Sequence, residues 1–143
     1  MTGARLRGFF SAMQHNTLAL AAERSVFVID DDLAILGSLK FALEIEGYPV
    51  RAYASARAVL ADASRNEPSC LIIDYNLPEG DAFSVLDELR AHGVAGKTII
   101  ITSNPSPQLR RRAAAAGIPI VEKPLFGNVL IDALREALPP SLR

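Results

Sequence analysis

From residue 25 onward, short apolar runs alternate with longer segments in which apolar residues recur at helical spacing. Most of the apolar runs are rich in β-branched residues and have the length of buried parallel strands. They cover residues 25–29, 48–53, 70–73, 98–101 and 118–121. The segments with helical spacing cover residues 33–46, 55–65, 81–92, 107–116 and 126–138. This alternation predicts right-handed βαβ units, and hence a doubly wound α/β fold in which helices cover both faces of a five-stranded parallel sheet.

The composition limits the class of protein. The chain has 143 residues, about the size of one domain, and its 50% hydrophobic content is enough for a full core. Its 15 basic and 16 acidic residues give a net charge of −1, so we expect no direct nucleic-acid partner. No apolar run approaches the roughly 20 residues of a membrane span. The single cysteine, Cys70, excludes an internal disulfide and suits the reducing cytoplasm.

Residues 1–24 precede the first predicted strand. We expect them to form an N-terminal extension, flexible or partly helical, ahead of one domain over residues 25–143 with a short C-terminal tail. Leu6, Phe9, Phe10 and Met13 recur at the spacing of one helix face. A flexible leader is the favoured interpretation, and Met13 is an alternative start of the chain.

Candidate chemistry lies at the ends of the predicted strands. Asp30 and Asp31 follow the first strand, Asp74 the third, Thr102 the fourth and Lys123 the fifth. The carboxyl ends of parallel strands meet at one edge of the sheet, where α/β folds bind ligands. We therefore expect these five side chains to converge although they are far apart in sequence.

Such a cluster suits phosphoryl transfer. Three carboxylates held together repel one another, and Mg²⁺ relieves that repulsion because it prefers oxygen ligands. Asp74 ends a strand of its own ahead of a turn, which suits a nucleophile that forms an aspartyl phosphate. The metal ion, the Lys123 ammonium group and the Thr102 hydroxyl group then offer one partner for each phosphoryl oxygen.

Four short motifs in this order resemble the receiver domain of bacterial two-component response regulators. They are residues 28–32 (VIDDD), 74–78 (DYNLP), 100–103 (IITS) and 122–124 (EKP). Each motif alone is weak, but the four together have nearly the spacing of that family. The resemblance covers about residues 25–138 and implies a flavodoxin-like sheet with strand order 2-1-3-4-5.

The resemblance also implies a role for each site residue. Asp74 would accept phosphate from a phosphohistidine on a partner kinase. Asp31 and Asp74 would ligate Mg²⁺ directly together with the backbone carbonyl of Asn76, and Asp30 would contribute through water.

Two further residues would respond to the phosphoryl group. Thr102 would move toward it, and Lys123 would pair with it. The Lys123–Pro124 peptide bond would be cis.

Three departures from the family pattern affect this interpretation. Ile120 stands where an aromatic residue often acts as a rotating switch, and Ala82 stands where the family usually has glycine. Residues 104–107 (NPSP) place two prolines where the fourth helix normally begins, which should shorten or shift its first turn.

Because few residues follow residue 138, we expect a stand-alone receiver. The resemblance implies that it catalyses its own phosphoryl transfer and slow aspartyl-phosphate hydrolysis, and is not a conventional enzyme. A sensor histidine kinase or a histidine phosphotransfer protein would supply the phosphate. A downstream protein effector would read the change by docking. Homodimerisation is left open.

Two alternative functions remain. A small phosphatase similar to the haloacid dehalogenase superfamily would use Asp30 as nucleophile, with Asp32, Thr102 or Ser103, and Lys123. That family needs a downstream acidic pair for Mg²⁺, and only Asp132 and Glu136 follow Lys123. A non-phosphorylated pseudo-receiver would act only as a binding scaffold.

Overall fold

A parallel five-stranded sheet forms the centre of the protein. The computed structural model describes residues 24–125 and 127–138. The sheet strands are β1 (Val26–Ile29), β2 (Val50–Tyr53), β3 (Cys70–Asp74), β6 (Lys97–Thr102) and β7 (Ile120–Glu122). Their order is β2-β1-β3-β6-β7, and every neighbouring pair is parallel. Counted within the sheet this is the order 2-1-3-4-5, so the predicted doubly wound fold is confirmed.

Helices cover both faces of the sheet. They are α1 (Leu33–Ile45), α2 (Ala56–Ala61), α3 (Ala82–Ala91), α4 (Pro107–Ala115) and α5 (Val129–Ala137). The side chains of β1 alternate between two cores, since Phe27 and Ile29 pack with α2, α3 and α4. Val26 and Val28 pack with α1 and α5. Because both faces are covered, the strands are apolar throughout their length rather than alternating in polarity.

Local sequence signals set where several helices begin. The Asp32 carboxylate accepts hydrogen bonds from the backbone N–H groups of Ala34 at 2.9 Å and Ile35 at 3.2 Å. Ser106 caps α4 in the same way, with 3.0 Å from its hydroxyl oxygen to the N–H of Leu109. Pro107 is the first residue of α4, a position where proline costs no hydrogen bond. Pro107 therefore marks the start of α4 rather than disrupting the helix.

Two predicted helices are too long at one end. Helix α2 ends at Ala61 rather than residue 65, because Asp62 takes an extended conformation and its carboxylate accepts a hydrogen bond from Tyr53 at 2.8 Å. Helix α5 begins at Val129 rather than residue 126, because Gly127 has a φ of +65°, outside the helical region. Both ends depend on contacts or backbone angles that hydrophobic spacing does not reveal.

One small element was not predicted. Strands β4 (Asn76–Leu77) and β5 (Gly80–Asp81) form a short antiparallel pair directly after β3. The pair turns the chain from β3 into α3, and its loop carries Pro78 and Glu79.

The predicted extension over residues 1–24 lies outside the described residues except for Arg24, and so does most of the predicted C-terminal tail. No helix in the described part of the chain has both the length and the apolar character that a membrane crossing requires.

Candidate functional site

The predicted site residues meet at the carboxyl edge of the sheet. Asp30 directly follows β1, Asp74 is the last residue of β3, and Lys123 directly follows β7. Asp74 lies in register with Ile101 on β6, so Thr102 stands one position further along the neighbouring strand. The parallel register thus brings together side chains that are up to 93 positions apart in the sequence.

Three carboxylates form a compact acidic cluster. Asp30, Asp31 and Asp74 each offer a carboxylate oxygen, and these oxygens lie within 4.8 Å of one another. Asp30 is completely buried, Asp74 is 7% exposed, and Asp31 is exposed. Within the described residues, this is the one group of three or more acidic, histidine or cysteine side chains so arranged. An all-oxygen donor set with one solvent-facing member fits a hard divalent cation.

Lys123 joins two of these carboxylates. Its ammonium nitrogen lies 3.1 Å from Asp30 Oδ2 and 3.2 Å from Asp74 Oδ1. The Lys123 backbone N–H donates to the carbonyl oxygen of Thr102 at 2.7 Å, which extends the β6–β7 pairing to the site. The Lys123–Pro124 peptide bond is cis, as the resemblance implied.

Burial and neighbouring charges shift the pKa values of Asp74 and Lys123. Burial raises the pKa of Asp74 above its ordinary value, and the charges of Asp30 and, to a lesser extent, Asp31 raise it further. The neighbouring ammonium group of Lys123 acts in the opposite direction. Burial also disfavours the charge of Lys123, but its hydrogen bonds and ion pairs with Asp30 and Asp74 outweigh that cost and raise its pKa. The arrangement therefore holds Lys123 as a cation between two carboxylates.

Thr102 and Asn76 flank the cluster. Thr102 is 2% exposed at the end of β6. Asn76 is exposed in β4, two residues after Asp74, and is in register with Asp81 of β5. The structure thus places both residues on segments adjoining Asp74, and the short β4–β5 pair fixes the backbone of Asn76.

One contact near the site could not be predicted from the sequence. The Glu79 carboxylate accepts hydrogen bonds from the first two N–H groups of α2, at 2.7 Å from Ala56 and 3.0 Å from Arg57. It therefore ties the loop after Asp74 to a helix more than 20 positions earlier in the chain. Glu79 follows a proline in a turn, and such a position carries no signal of a partner so far away.

Two residues that depart from the family pattern, Ile120 and Ala82, pack in or against the same core. Ile120 is half-buried at the start of β7 and packs against the core formed with α2, α3 and α4. Ala82 is completely buried as the first residue of α3, where Asp81 caps the helix.

The acidic residues that the phosphatase alternative needs lie away from the site. On α5, the exposed Asp132 lies 3.9 Å from Arg135, and neither Asp132 nor Glu136 belongs to the acidic cluster.

Comparisons with known proteins agree on the family. The family model of the response regulator receiver domain matches residues 26–135. Response regulator protein TodT of Pseudomonas putida is 30% identical over 114 residues, which cover 79% of this chain and 50% of TodT. Transcriptional regulatory protein FixJ of Azorhizobium caulinodans is 33% identical over 114 residues, which cover 79% of this chain and 54% of FixJ. The chain thus spans about half the length of these curated relatives.

Solved structures show the same fold. A CheY-like receiver domain from Methanospirillum hungatei superposes with a TM-score of 0.68 at 28% identity, covering 79% of this chain and 91% of that one. Chemotaxis protein CheY4 of Vibrio cholerae superposes with a TM-score of 0.70 at 25% identity, covering 80% of this chain and 98% of CheY4. With its sheet order and its acidic cluster at the carboxyl edge, the chain belongs to the response regulator receiver domain family.

Proposed function

We propose that the protein is the phosphoacceptor of a two-component phosphorelay and that Asp74 carries the phosphoryl group. The observation that supports this most is the Lys123 ammonium group, which links Asp74 to Asp30 at 3.2 and 3.1 Å inside the acidic cluster. The Lys123 ammonium group opposes the rise in the Asp74 pKa that burial and Asp30 cause, and so favours the ionised carboxylate that acts as a nucleophile.

The same cluster would hold Mg²⁺. Asp31 and Asp74 would bind it directly with the backbone carbonyl of Asn76, while Asp30 would contribute through a water molecule. When bound, the ion supplies positive charge that neutralises both the carboxylates and the incoming phosphoryl oxygens. The fit rests on the three carboxylate oxygens lying within 4.8 Å of one another.

The chain's own residues would perform the transfer. An Asp74 oxygen attacks phosphorus, and the phosphorus–nitrogen bond of the donor phosphohistidine breaks as the new phosphorus–oxygen bond forms. Lys123 then pairs with a phosphoryl oxygen instead of Asp74 Oδ1 while keeping its contact with Asp30. The Thr102 hydroxyl group would follow the phosphoryl group, and the half-buried Ile120 would adjust by aliphatic repacking rather than by rotation of an aromatic ring.

The phosphatase alternative requires Asp30 as the nucleophile, and its surroundings disfavour that role. Asp30 is completely buried. Its Oδ1 accepts the N–H of Asp32 at 2.9 Å, and its Oδ2 accepts from Lys123 at 3.1 Å. A carboxylate enclosed and engaged at both oxygens is suited to supporting the site rather than to attacking phosphorus.

The proposed partners follow from the proposed chemistry. A sensor histidine kinase or a histidine phosphotransfer protein would supply the phosphoryl group, and a downstream protein effector would read the change. Phosphorylation adds roughly −1.5 to −2 charges at Asp74, enough to reorganise the loop between β6 and α4. We place this exchange in the cytoplasm, because the single cysteine, Cys70, is free and buried and a chain without an internal disulfide suits a reducing compartment.

Intact mass after incubation with acetyl phosphate tests the proposal. The unsubstituted protein should gain a single phosphate in the presence of Mg²⁺ and none in the presence of a chelator, and Asp74→Asn should gain none. Asp87→Asn is the matched control, because Asp87 is exposed on α3 away from the cluster. A folded protein that takes no phosphate from acetyl phosphate or from histidine-phosphorylated donors would instead be a pseudo-receiver.

A further inference from the structure

The short β4–β5 pair carries a proposed metal ligand, the backbone carbonyl of Asn76, directly after Asp74. The two residues of β4 lie in register with the two residues of β5, so Pro78 and Glu79 form a tip of two residues between them. A two-stranded hairpin is at best marginally stable on its own in water. The position of the Asn76 backbone therefore depends on what anchors this pair to the rest of the molecule.

One anchor of the pair is apolar. The side chain of Leu77 is buried and packs in the core formed with α2, α3 and α4. This contact holds β4 against the core, whereas both residues of the tip, Pro78 and Glu79, are exposed. An anchor for the tip must come from a side chain that reaches beyond the loop.

Glu79 supplies that second anchor. Its two carboxylate oxygens each accept one hydrogen bond from the start of α2, at 2.7 Å from the N–H of Ala56 and 3.0 Å from the N–H of Arg57. The helix dipole favours negative charge at this end of a helix, and hydrogen bonds to a charged acceptor are stronger than those between neutral groups. Because Glu79 is exposed, its substitution removes these hydrogen bonds without opening a cavity in the core.

The helix that receives this contact is itself fixed to the fold. Ala56 and Val59 of α2 are buried in the same core that holds β4. The Ser55 hydroxyl oxygen accepts a hydrogen bond from the third N–H of the helix, that of Ala58, at 3.0 Å. Glu79 and Ser55 together thus satisfy the first three N–H groups of α2, and Glu79 alone connects them to the loop after the acidic cluster.

We propose that Glu79 is a positioning residue for the metal site. By holding the tip of the β4–β5 pair against α2, it fixes the backbone of Asn76, two residues after Asp74, and so strengthens Mg²⁺ binding. The inference rests on the proposed function, in which the backbone carbonyl of Asn76 is one of the Mg²⁺ ligands.

The same contact couples the metal site and α2 in both directions. Coupling between two sites is reciprocal, so if the Glu79 contact strengthens Mg²⁺ binding, bound Mg²⁺ stabilises the Glu79 contact by the same free energy. Bound Mg²⁺ should then reduce the opening of the hydrogen bonds from Ala56 and Arg57 to Glu79. Occupancy of the metal site would thus affect the start of a helix that lies earlier in the chain than Asp74.

An NMR titration of the unphosphorylated full chain with Mg²⁺ tests the positioning role. The Kd for Mg²⁺ follows from the shifts of the backbone amides of Asp74 and Asn76. Glu79→Ala should raise this Kd about fivefold, the lower end of typical couplings between sites. Glu79→Gln removes the charge but keeps a carbonyl oxygen that can accept the same N–H groups, so its Kd should lie closer to that of the unsubstituted protein.

Ser55→Ala is the matched control, because it removes a hydrogen bond from the same end of α2 without releasing the tip. It should lower the stability to a similar extent as Glu79→Ala and leave the Kd for Mg²⁺ unchanged. An unchanged Kd in Glu79→Ala, an equal rise in Ser55→Ala, or equal rises in Glu79→Ala and Glu79→Gln would overturn the inference and leave the proposed function standing. If the unsubstituted protein shows no Mg²⁺-dependent shift, the proposed metal site is wrong and this inference with it.

Amide exchange measured by NMR tests the coupling in the other direction. Saturating Mg²⁺ should slow the exchange of the Ala56 and Arg57 amides about fivefold in the unsubstituted protein and have no such effect in Glu79→Ala. Ser64 gives an internal control, because its N–H donates to the Asp62 carboxylate at 3.0 Å, beyond the far end of α2. An equal effect of Mg²⁺ on the Ser64 amide, or no effect on the Ala56 and Arg57 amides, would overturn the coupling.

Discussion

At the residue scale, the surroundings of the Asp74 carboxylate disfavour its negative charge. Asp74 is 7% exposed and lies beside two other carboxylates, so burial and repulsion both disfavour its charge. The types and order of the site residues could be predicted because each ends a strand. The sharing of one lysine between Asp30 and Asp74 could not, because strand ends alone do not determine side-chain distances.

Removing the Asp74 charge should therefore stabilise the fold in the absence of metal. The raised pKa means that, above the ordinary value of 3.8, the folded protein retains a proton that the unfolded chain has released. Stability then falls as pH rises through this window, and the loss persists at neutral pH. Asp74→Asn should raise the Tm at pH 7 by several degrees in a chelator.

Thermal unfolding from pH 4 to pH 8 measures this effect. The difference in Tm between Asp74→Asn and the unsubstituted protein should grow with pH, and added Mg²⁺ should narrow it. A variant that is less stable at pH 7, or a difference that does not change with pH, would show that Asp74 is not under electrostatic strain.

At the scale of elements, hydrophobic spacing predicted the strands and helices well but not all of their ends. The buried strands and the capped helix α1 follow from local sequence. The end of α2 does not, because Asp62 contacts Tyr53 on β2, and neither does the link through Glu79 from the β4–β5 loop to α2. Hydrophobic spacing therefore predicts that a helix is present, whereas a hydrogen bond to a distant residue determines where α2 ends.

The contact of Glu79 with α2 should contribute measurably to stability. Glu79→Ala leaves the N–H groups of Ala56 and Arg57 without their acceptor, which should cost about 1 kcal/mol, as for the loss of a helix cap. Urea unfolding measures the change, with Glu67→Ala as the control for loss of an exposed acidic residue. An equal effect of the two substitutions would mean that the Glu79 contact adds nothing.

Asp62 should stabilise the fold in a pH-dependent way. Hydrogen bonds from Ser64 and from the Tyr53 hydroxyl lower the pKa of Asp62 from 3.8 to about 2. A lowered pKa gives stability that is complete above pH 3.8 and is lost as pH falls toward 2. Asp62→Asn should therefore reduce the urea midpoint at pH 6, with the two proteins converging between pH 4 and pH 2. If the difference in urea midpoint stayed constant down to pH 2, the effect would come from the shape of the side chain and not from its charge.

At the scale of the whole molecule, the sheet separates two cores but joins them at one edge. One core lies under α2, α3 and α4, the other under α1 and α5, and the acidic cluster sits where both meet the carboxyl ends of the strands. We therefore propose that a charge change at Asp74 reaches Thr102 and Ile120 on one side of the sheet and α1 on the other. The family pattern could predict this architecture, whereas the cavity that α1 forms with Ser103 and residues 123–125 emerges only from the packing of α1.

The central claim is that Asp74 receives the phosphoryl group, and chemical trapping tests it most directly. After phosphorylation, borohydride reduces an aspartyl phosphate to homoserine, and peptide mass spectrometry identifies the position. The account predicts homoserine at residue 74 and none at residues 30 or 31. Homoserine at residue 30, or a phosphate adduct that persists in Asp74→Asn, would contradict it.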